Sequence, residues 1–375
     1  MLYMLNGSYS PNTAVTNRTL AYIKGISELG IETTVVFFFP DKGRNIIKKD
    51  YPYVSFKYMW YGHYASSNFI KGFRYIQYII RFLNILKKGD NVYLYNMEDV
   101  LFFLLKKKGI NIFVERGEHP QIYPMGSPLF RPSLKQYFNM ISRVKGVFVI
   151  SQSLKSYYIE NGVPEDRIHV INIIVDPSRF DNIKITNNNE DYIAYCGTAS
   201  NNKDGVDELI KAFAIVCKTH PFVKLYIIGK TPSDDDESNN LRLINDLRLN
   251  DRIVFTGIVP AEEIPLLLTR ARVLALDRPA NIQAKYGFPT KLGEYLLTGK
   301  PVVITRVGDI PLFLRDKETA YLANPQDAES FAEKLNYVLD NYQEALDIGR
   351  NGYELAFREF NYLIETKKLV NYILN

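Results

Sequence analysis

Two parallel α/β domains in series are the fold class this sequence predicts, and three observations predict it. Short apolar runs rich in β-branched and aromatic residues alternate with longer segments of helical period. The alternation lapses once near the middle of the chain and then restarts. A length of 375 residues suits two domains rather than one.

Residues 2–5 read as the first strand and 15–29 as the helix that follows it. Further strands are predicted at 33–38, 54–58, 91–95, 110–114 and 146–150, with helices between most of them. Near Asp176-Pro177-Ser178-Arg179, and through the polar stretch 186–190, the periodicity lapses. The first domain is therefore set at 1–178 and the second at 179–360, with a terminal helix at about 361–375 expected to pack back onto the first. The second series has strands at 192–196, 224–228, 253–255, 273–276, 301–304 and 320–322. Its helices fit at 206–219, 240–247, 261–271, 290–298 and 328–339, and a helical tail runs from 351 to 374. Open parallel sheets bind ligands beyond the carboxyl ends of their strands, so a cleft between two such domains is the expected site.

Charge excludes one class of partner. Forty-six Lys and Arg against 41 Asp and Glu give a net charge of +5, too mild for a nucleic-acid-binding face. Cys196 and Cys217 lie in no CxxC pair and read as reduced thiols, not metal or redox groups. The N-terminus has no basic region and no long apolar run, so no signal peptide is expected, and no stretch suits a spanning helix. A cytoplasmic protein is expected, with peripheral contact at the inner face of the membrane as an option.

The segment running from Tyr286 through Gly287, Phe288, Pro289, Thr290, Lys291 and Glu294 to Gly299 and Pro301 carries the most chemistry. Pro289 and Thr290 fit a helix start, with Thr290 as the N-cap, and Gly299 fits its end. Gly287 allows close backbone approach. Free amides and the helix dipole suit a phosphate there, and Lys291 adds positive charge. Glu294, one turn in, is placed to accept hydrogen bonds from the two hydroxyls of a ribose. The plain alternative is an ordinary helix with a solvated Glu and Lys.

This segment resembles the nucleotide-sugar signature of the family-four retaining glycosyltransferases, the group 1 type. Gly287, Phe288, Glu294, Gly299, Pro301, Val302 and Val303 match in place, while Tyr286 stands where that family carries its first Glu. A second match runs from Tyr195 to Phe213: Lys203 fits the position of a lysine that grips the donor diphosphate, and Thr198 occupies the position of an arginine. A third covers 225–229 and 251–259, where Gly257 and Val259 fall at the base-binding stretch. The matches span about 192–360. The resemblance implies the GT-B architecture, two Rossmann-like parallel-sheet domains facing a central cleft. It also implies a metal-independent, retaining transferase that takes a nucleotide-diphosphate sugar, UDP-linked by family frequency. The acceptor would be a glycan or a lipid-linked glycan of bacterial surface polysaccharide synthesis. No cofactor is expected, since the nucleotide-sugar is a substrate.

In the first half, Thr13 and Ala14 stand where the family often has paired glycines near the donor phosphates. Glu118 and His119, just beyond a predicted strand end, stand where it carries a His or an acidic group near the reacting centre; a capped turn is the plain alternative. Residues 68–88 place Arg74, Gln77, Arg81, Asn84 and Lys88 at helical spacing among aromatic and aliphatic residues. The favoured reading buries that helix against its sheet with the polar stripe outward; the other lays it on an anionic membrane. The acidic run 233–237 reads as solvated residues near a helix start, not a metal motif. Two rivals share the fold: a sugar-nucleotide epimerase and a non-catalytic nucleotide-sugar-binding protein.

Overall fold

The computed structural model describes residues 1–10, 13–41, 43–60, 68–95, 100–122, 132–181, 183, 191–231 and 233–375. Two compact units emerge: Met1–Ile174 with Tyr362–Asn375, and Val175–Asn361. The chain thus passes from one unit to the next at Ile174, four residues ahead of the boundary set from the sequence, and its last helix belongs to the first unit. The polar stretch 186–190 lies outside the described residues.

The first unit is built on β1 (Leu2–Asn6), β2 (Thr33–Phe37), β3 (Val54–Tyr58), β4 (Asn91–Tyr95), β5 (Asn111–Arg116), β6 (Gly146–Val149) and β7 (Ile168–Val170). Their order is β3-β2-β1-β4-β5-β6-β7, every pair parallel, with Met4 opposite Val35 on one side and Tyr93 on the other. Helices cover both faces of such a sheet, so central strands read as unbroken apolar runs; all five residues of β1 are buried. The core joins Met4, Tyr22, Phe37, Tyr93 and Phe113 to Leu369, Val370 and Ile373 of the last helix, Tyr362–Leu374. That helix lies on Ala14–Glu28, where a β-carbon on Gly25 would overlap Thr366. The helical tail expected from 351 to 374 is in fact two helices, Tyr342–Glu359 and Tyr362–Leu374, broken at Phe360 and Asn361. β7 escaped the sequence reading because three residues carry too little periodicity.

Helix Asn68–Ile85 corrects a second expectation. Tyr75, Tyr78, Ile79 and Phe82 are buried, but Ile70, Phe73, Ile76 and Ile80 are 44–58% exposed. The outer face is therefore an apolar row beside the polar stripe, with Arg81 donating to the Met59 carbonyl at 2.6 Å. Among the described residues no helix is long and apolar enough to cross a membrane.

The second unit has β8 (Tyr192–Cys196), β9 (Lys224–Ile228), β10 (Ile253–Gly257), β11 (Val273–Leu276), β12 (Val302–Thr305) and β13 (Tyr321–Ala323). They are ordered β10-β9-β8-β11-β12-β13, all parallel. Helix Asp234–Asp246 begins six residues earlier than expected, because Ser233 caps it by accepting from the Asp236 amide and its acidic first turn suits the dipole. The 233–237 run is thus a capped helix start, and among the described residues no group of three metal-ligating side chains occurs.

Candidate functional site

In the second unit the strand order reverses at β8, which lies between β9 and β11. In open parallel sheets such a reversal of strand order is the usual place for a ligand, beyond the carboxyl ends of the strands. Gly229, after β9, has φ +128°, and a β-carbon on it would overlap the Gly197 carbonyl, so only glycine lets these two loops lie against each other. Gly205, at φ +60°, abuts the Asp277 carbonyl beyond β11 in the same way.

Helix Thr290–Leu297 sits over the end of β8. The Tyr295 hydroxyl accepts from the Cys196 amide at 2.6 Å and donates to the Cys196 carbonyl at 3.3 Å, pinning helix to strand. The N-cap position belongs to Pro289, and among the described residues no side chain caps the helix; Thr290 is the first helical residue, not the cap, because Pro289 already holds the extended conformation a cap requires. Thr290 is exposed at this first turn, which keeps the features of an anion site: amides without a side-chain cap and the positive end of the dipole.

Lys291 is not a free cation. Its Nζ forms a salt bridge with Asp204 and donates to the Tyr195 hydroxyl at 3.0 Å, while that hydroxyl lies 2.7 Å from Asp204 Oδ2. Arg278 Nε is 3.9 Å from Asp204 Oδ1. Burial pushes the Asp204 carboxyl up, but Lys291 beside it and the Tyr195 hydrogen bond hold it below the usual carboxylate range. Burial draws the Lys291 ammonium down against the pull of Asp204. Glu294 is paired with Arg179 of the 3-10 turn Pro177–Phe180, both side chains about a quarter exposed.

The other candidates separate into exposed and structural positions. Lys203 and Thr198 are exposed, and the Thr198 carbonyl lies 2.7 Å from the Tyr195 hydroxyl. Gly257 is exposed and Val259 half-buried. Tyr286 is half-buried at the end of helix Ile282–Tyr286, with Lys285 Nζ 5.0 Å from its ring centroid. Gly287 has φ −90° and ψ 167°, open to any residue, so its backbone needs no glycine. Phe288 is buried against Phe313 and Phe360 at 5.4 and 5.7 Å, which makes it a packing residue.

In the first unit Thr13 is the N-cap of Ala14–Glu28, its hydroxyl accepting from the Thr16 amide at 3.2 Å; Ala14 opens that helix. Glu118 is half-buried after β5. His119 is 2% exposed, its ring 4.2 Å from that of Tyr157, and Nδ1 accepts from the Gln121 amide at 3.3 Å. That bond requires a proton-free Nδ1, which orients the ring.

Sequence reasoning missed several groups. Glu115, at the end of β5, accepts from Arg18 Nε at 2.5 Å, Tyr22 at 2.8 Å and Tyr93 at 2.6 Å, all buried. Asp277, after β11, is 1% exposed, and among the described residues neither carboxylate oxygen has a hydrogen-bond partner. Burial, then Glu208, Asp207 and Asp327, push it up to about 8. Arg179, Asp204 and Tyr195 join the site across 87 to 115 residues of sequence or through the strand itself, so no local spacing announces them.

The chain is similar to known proteins. The family model for glycosyl transferases group 1 matches residues 178–355. The chain is 26% identical over 155 residues to N-acetyl-alpha-D-glucosaminyl L-malate synthase of Bacillus anthracis, covering 41% of this chain and 38% of that protein. It is 24% identical over 237 residues to the amylovoran biosynthesis glycosyltransferase AmsK of Erwinia amylovora, covering 63% and 57%. The chain spans about half the length of the relatives it matches. The UDP complex of Anabaena Alr3699/HepE aligns with a TM-score of 0.73 at 16% identity, over 99% of this chain and 98% of that one. The likeness is one of fold: two Rossmann-like parallel-sheet units, the GT-B architecture.

Proposed function

We propose, on the premise that residues 178–355 form a glycosyl transferases group 1 domain, that the protein moves a sugar from a nucleotide-diphosphate sugar, a UDP-sugar by preference, to a glycan or lipid-linked acceptor. The bond from the anomeric carbon to the diphosphate oxygen breaks, and one to an acceptor hydroxyl forms. The hydroxyl proton passes to the leaving phosphate, with configuration retained. The setting is the making of a bacterial surface polysaccharide. The observation that carries this reading is helix Thr290–Leu297: its uncapped first turn and the Glu294 carboxylate are held over the end of β8. There the amides serve the diphosphate and Glu294 the ribose. Lys203, Thr198, Tyr286 and the first turn of that helix are assigned to the phosphates and sugar, and Gly257 and Val259 to the base. Glu118 and His119 are assigned to the reacting centre, and the loop at Thr13 and Ala14 to the phosphate side. No metal is assigned.

The test is calorimetric titration with UDP, GDP and ADP beside a Glu294→Ala variant. Losing two ribose hydrogen bonds should weaken binding by roughly 2–4 kcal/mol, on the order of 30- to 1000-fold. Unchanged binding by Glu294→Ala would remove the ribose assignment. Product analysis then separates a glycosylated acceptor from a changed sugar nucleotide.

A membrane-bound acceptor is favoured by one observation, the exposed row Ile70, Phe73, Ile76 and Ile80 beside Arg74 and Arg81. Apolar side chains flanked by cations suit an anionic bilayer surface. Sedimentation with vesicles containing phosphatidylglycerol should fall sharply for Phe73→Ser with Ile80→Ser. Parent protein that stays in the supernatant would end this reading.

A further inference from the structure

The nucleotide-sugar reading raises a question of charge. A nucleoside diphosphate carries two or more negative charges, and they must be met by cations or dipoles where the leaving group departs. Beyond β8 stand Gly197 and Thr198, both uncharged, and exposed Lys203 on the short helix Asn201–Asp204. Lys291, the cation on the phosphate-facing helix, is already bound to Asp204. A further cation arrives from a distant part of the sequence. Arg179 lies in the turn Pro177–Phe180, whose first residues are fixed by Asp176 accepting from the Ser178 amide at 3.0 Å. Its guanidinium is paired with Glu294. It also stands close enough to the end of β8 to act on the Cys196 thiol, which burial pushes up to about 11 against the pull of Lys291 and Arg179.

The chemistry of the two groups fits one ligand. If Glu294 takes the ribose hydroxyls, the 5′ oxygen and its first phosphate lie one sugar's breadth away. A guanidinium has five donors in a rigid fork, so contact with one carboxylate leaves N–H groups for a phosphate oxygen. Resting on the nucleotide-sugar reading, we propose that Arg179, anchored on Glu294, supplies the donor diphosphate with a cation that the Thr198 position lacks. Ribose and phosphate recognition are then joined through one ion pair within the second unit.

The experiment is titration of the full chain with uridine, UMP and UDP, for the parent, Arg179→Gln and Arg179→Lys. In the parent, affinity should rise from uridine to UDP. In Arg179→Gln the UDP affinity should fall on the order of 10- to 100-fold, as for a lost charged hydrogen bond. Uridine affinity should be retained, which also reports an intact fold. Arg179→Lys should keep part of the UDP affinity, since the charge remains without the fork. Recovery of UDP binding in Arg179→Gln with Thr198→Arg would support the assignment further. Equal losses for uridine and UDP would overturn it, because Arg179 would then only orient Glu294. Unchanged UDP binding by Arg179→Gln would overturn it as well. A parent chain that binds none of the three ligands would instead remove the nucleotide reading and this inference with it.

Discussion

Lys291 and Asp204 form a buried salt bridge that Tyr195 closes from the third side, its hydroxyl 3.0 Å from the ammonium and 2.7 Å from the carboxylate. The bridge ties helix Thr290–Leu297 to the end of the short helix Asn201–Asp204. Removing one partner leaves the other with only the Tyr195 hydroxyl as its close partner; with Lys291 18% exposed, the cost should fall below the about 3–5 kcal/mol of a fully buried pair. Asp204→Asn and Lys291→Met should each lower the thermal midpoint by on the order of 5–10 °C. The double variant should recover part of that loss, read by calorimetric unfolding. Additive losses would show that the two side chains act separately.

A pH dependence follows from Asp277. Its carboxyl is pushed up to about 8 when folded and returns to the usual carboxylate value when unfolded. Between about pH 4 and pH 8 the folded state therefore holds a proton that the unfolded state has lost, and stability falls as pH rises through that window. Asp277→Asn should flatten this part of the stability–pH curve. At pH 8 it should raise stability by on the order of 2 kcal/mol. An unchanged slope in urea unfolding across the window would contradict it.

In the first unit, Arg18, Tyr22 and Tyr93 all donate to one carboxylate, that of Glu115. Burial opposes charge on Arg18, but Glu115 and the surrounding tyrosines hold its guanidinium above its usual value. Glu115→Ala strands that cation and should cost about 3–5 kcal/mol. Tyr93→Phe removes one hydrogen bond to a charged acceptor and should cost about 1–3 kcal/mol. Urea midpoints should rank the two in that order.

Gly229→Ala places a side chain at φ +128° and against the Gly197 carbonyl. The loops after β8 and β9 must then separate, at a cost on the order of 2 kcal/mol or more. Nucleotide affinity should fall with stability.

The sequence by itself determined the two parallel sheets, most of their strands and the second-half segment that carries the family resemblance. Those signals are local: an apolar run such as Tyr192–Cys196 is buried on both faces, and the turn, helix and strand around Glu294 follow each other in the chain. It missed β7, the break at Phe360 and Asn361, and the outward apolar row of Asn68–Ile85. A three-residue strand carries little periodicity, and which face of an apolar helix is covered depends on neighbours far along the chain. Only the tertiary structure decided who holds the site's charges. Arg179 meets Glu294 across 115 residues and Lys291 meets Asp204 across 87, because strand order, not chain order, sets which loops share one end of a parallel sheet. Burial, which turns Asp277 from a solvated carboxylate into a proton-holding group, is likewise a property of the packed unit and of no spacing in the sequence.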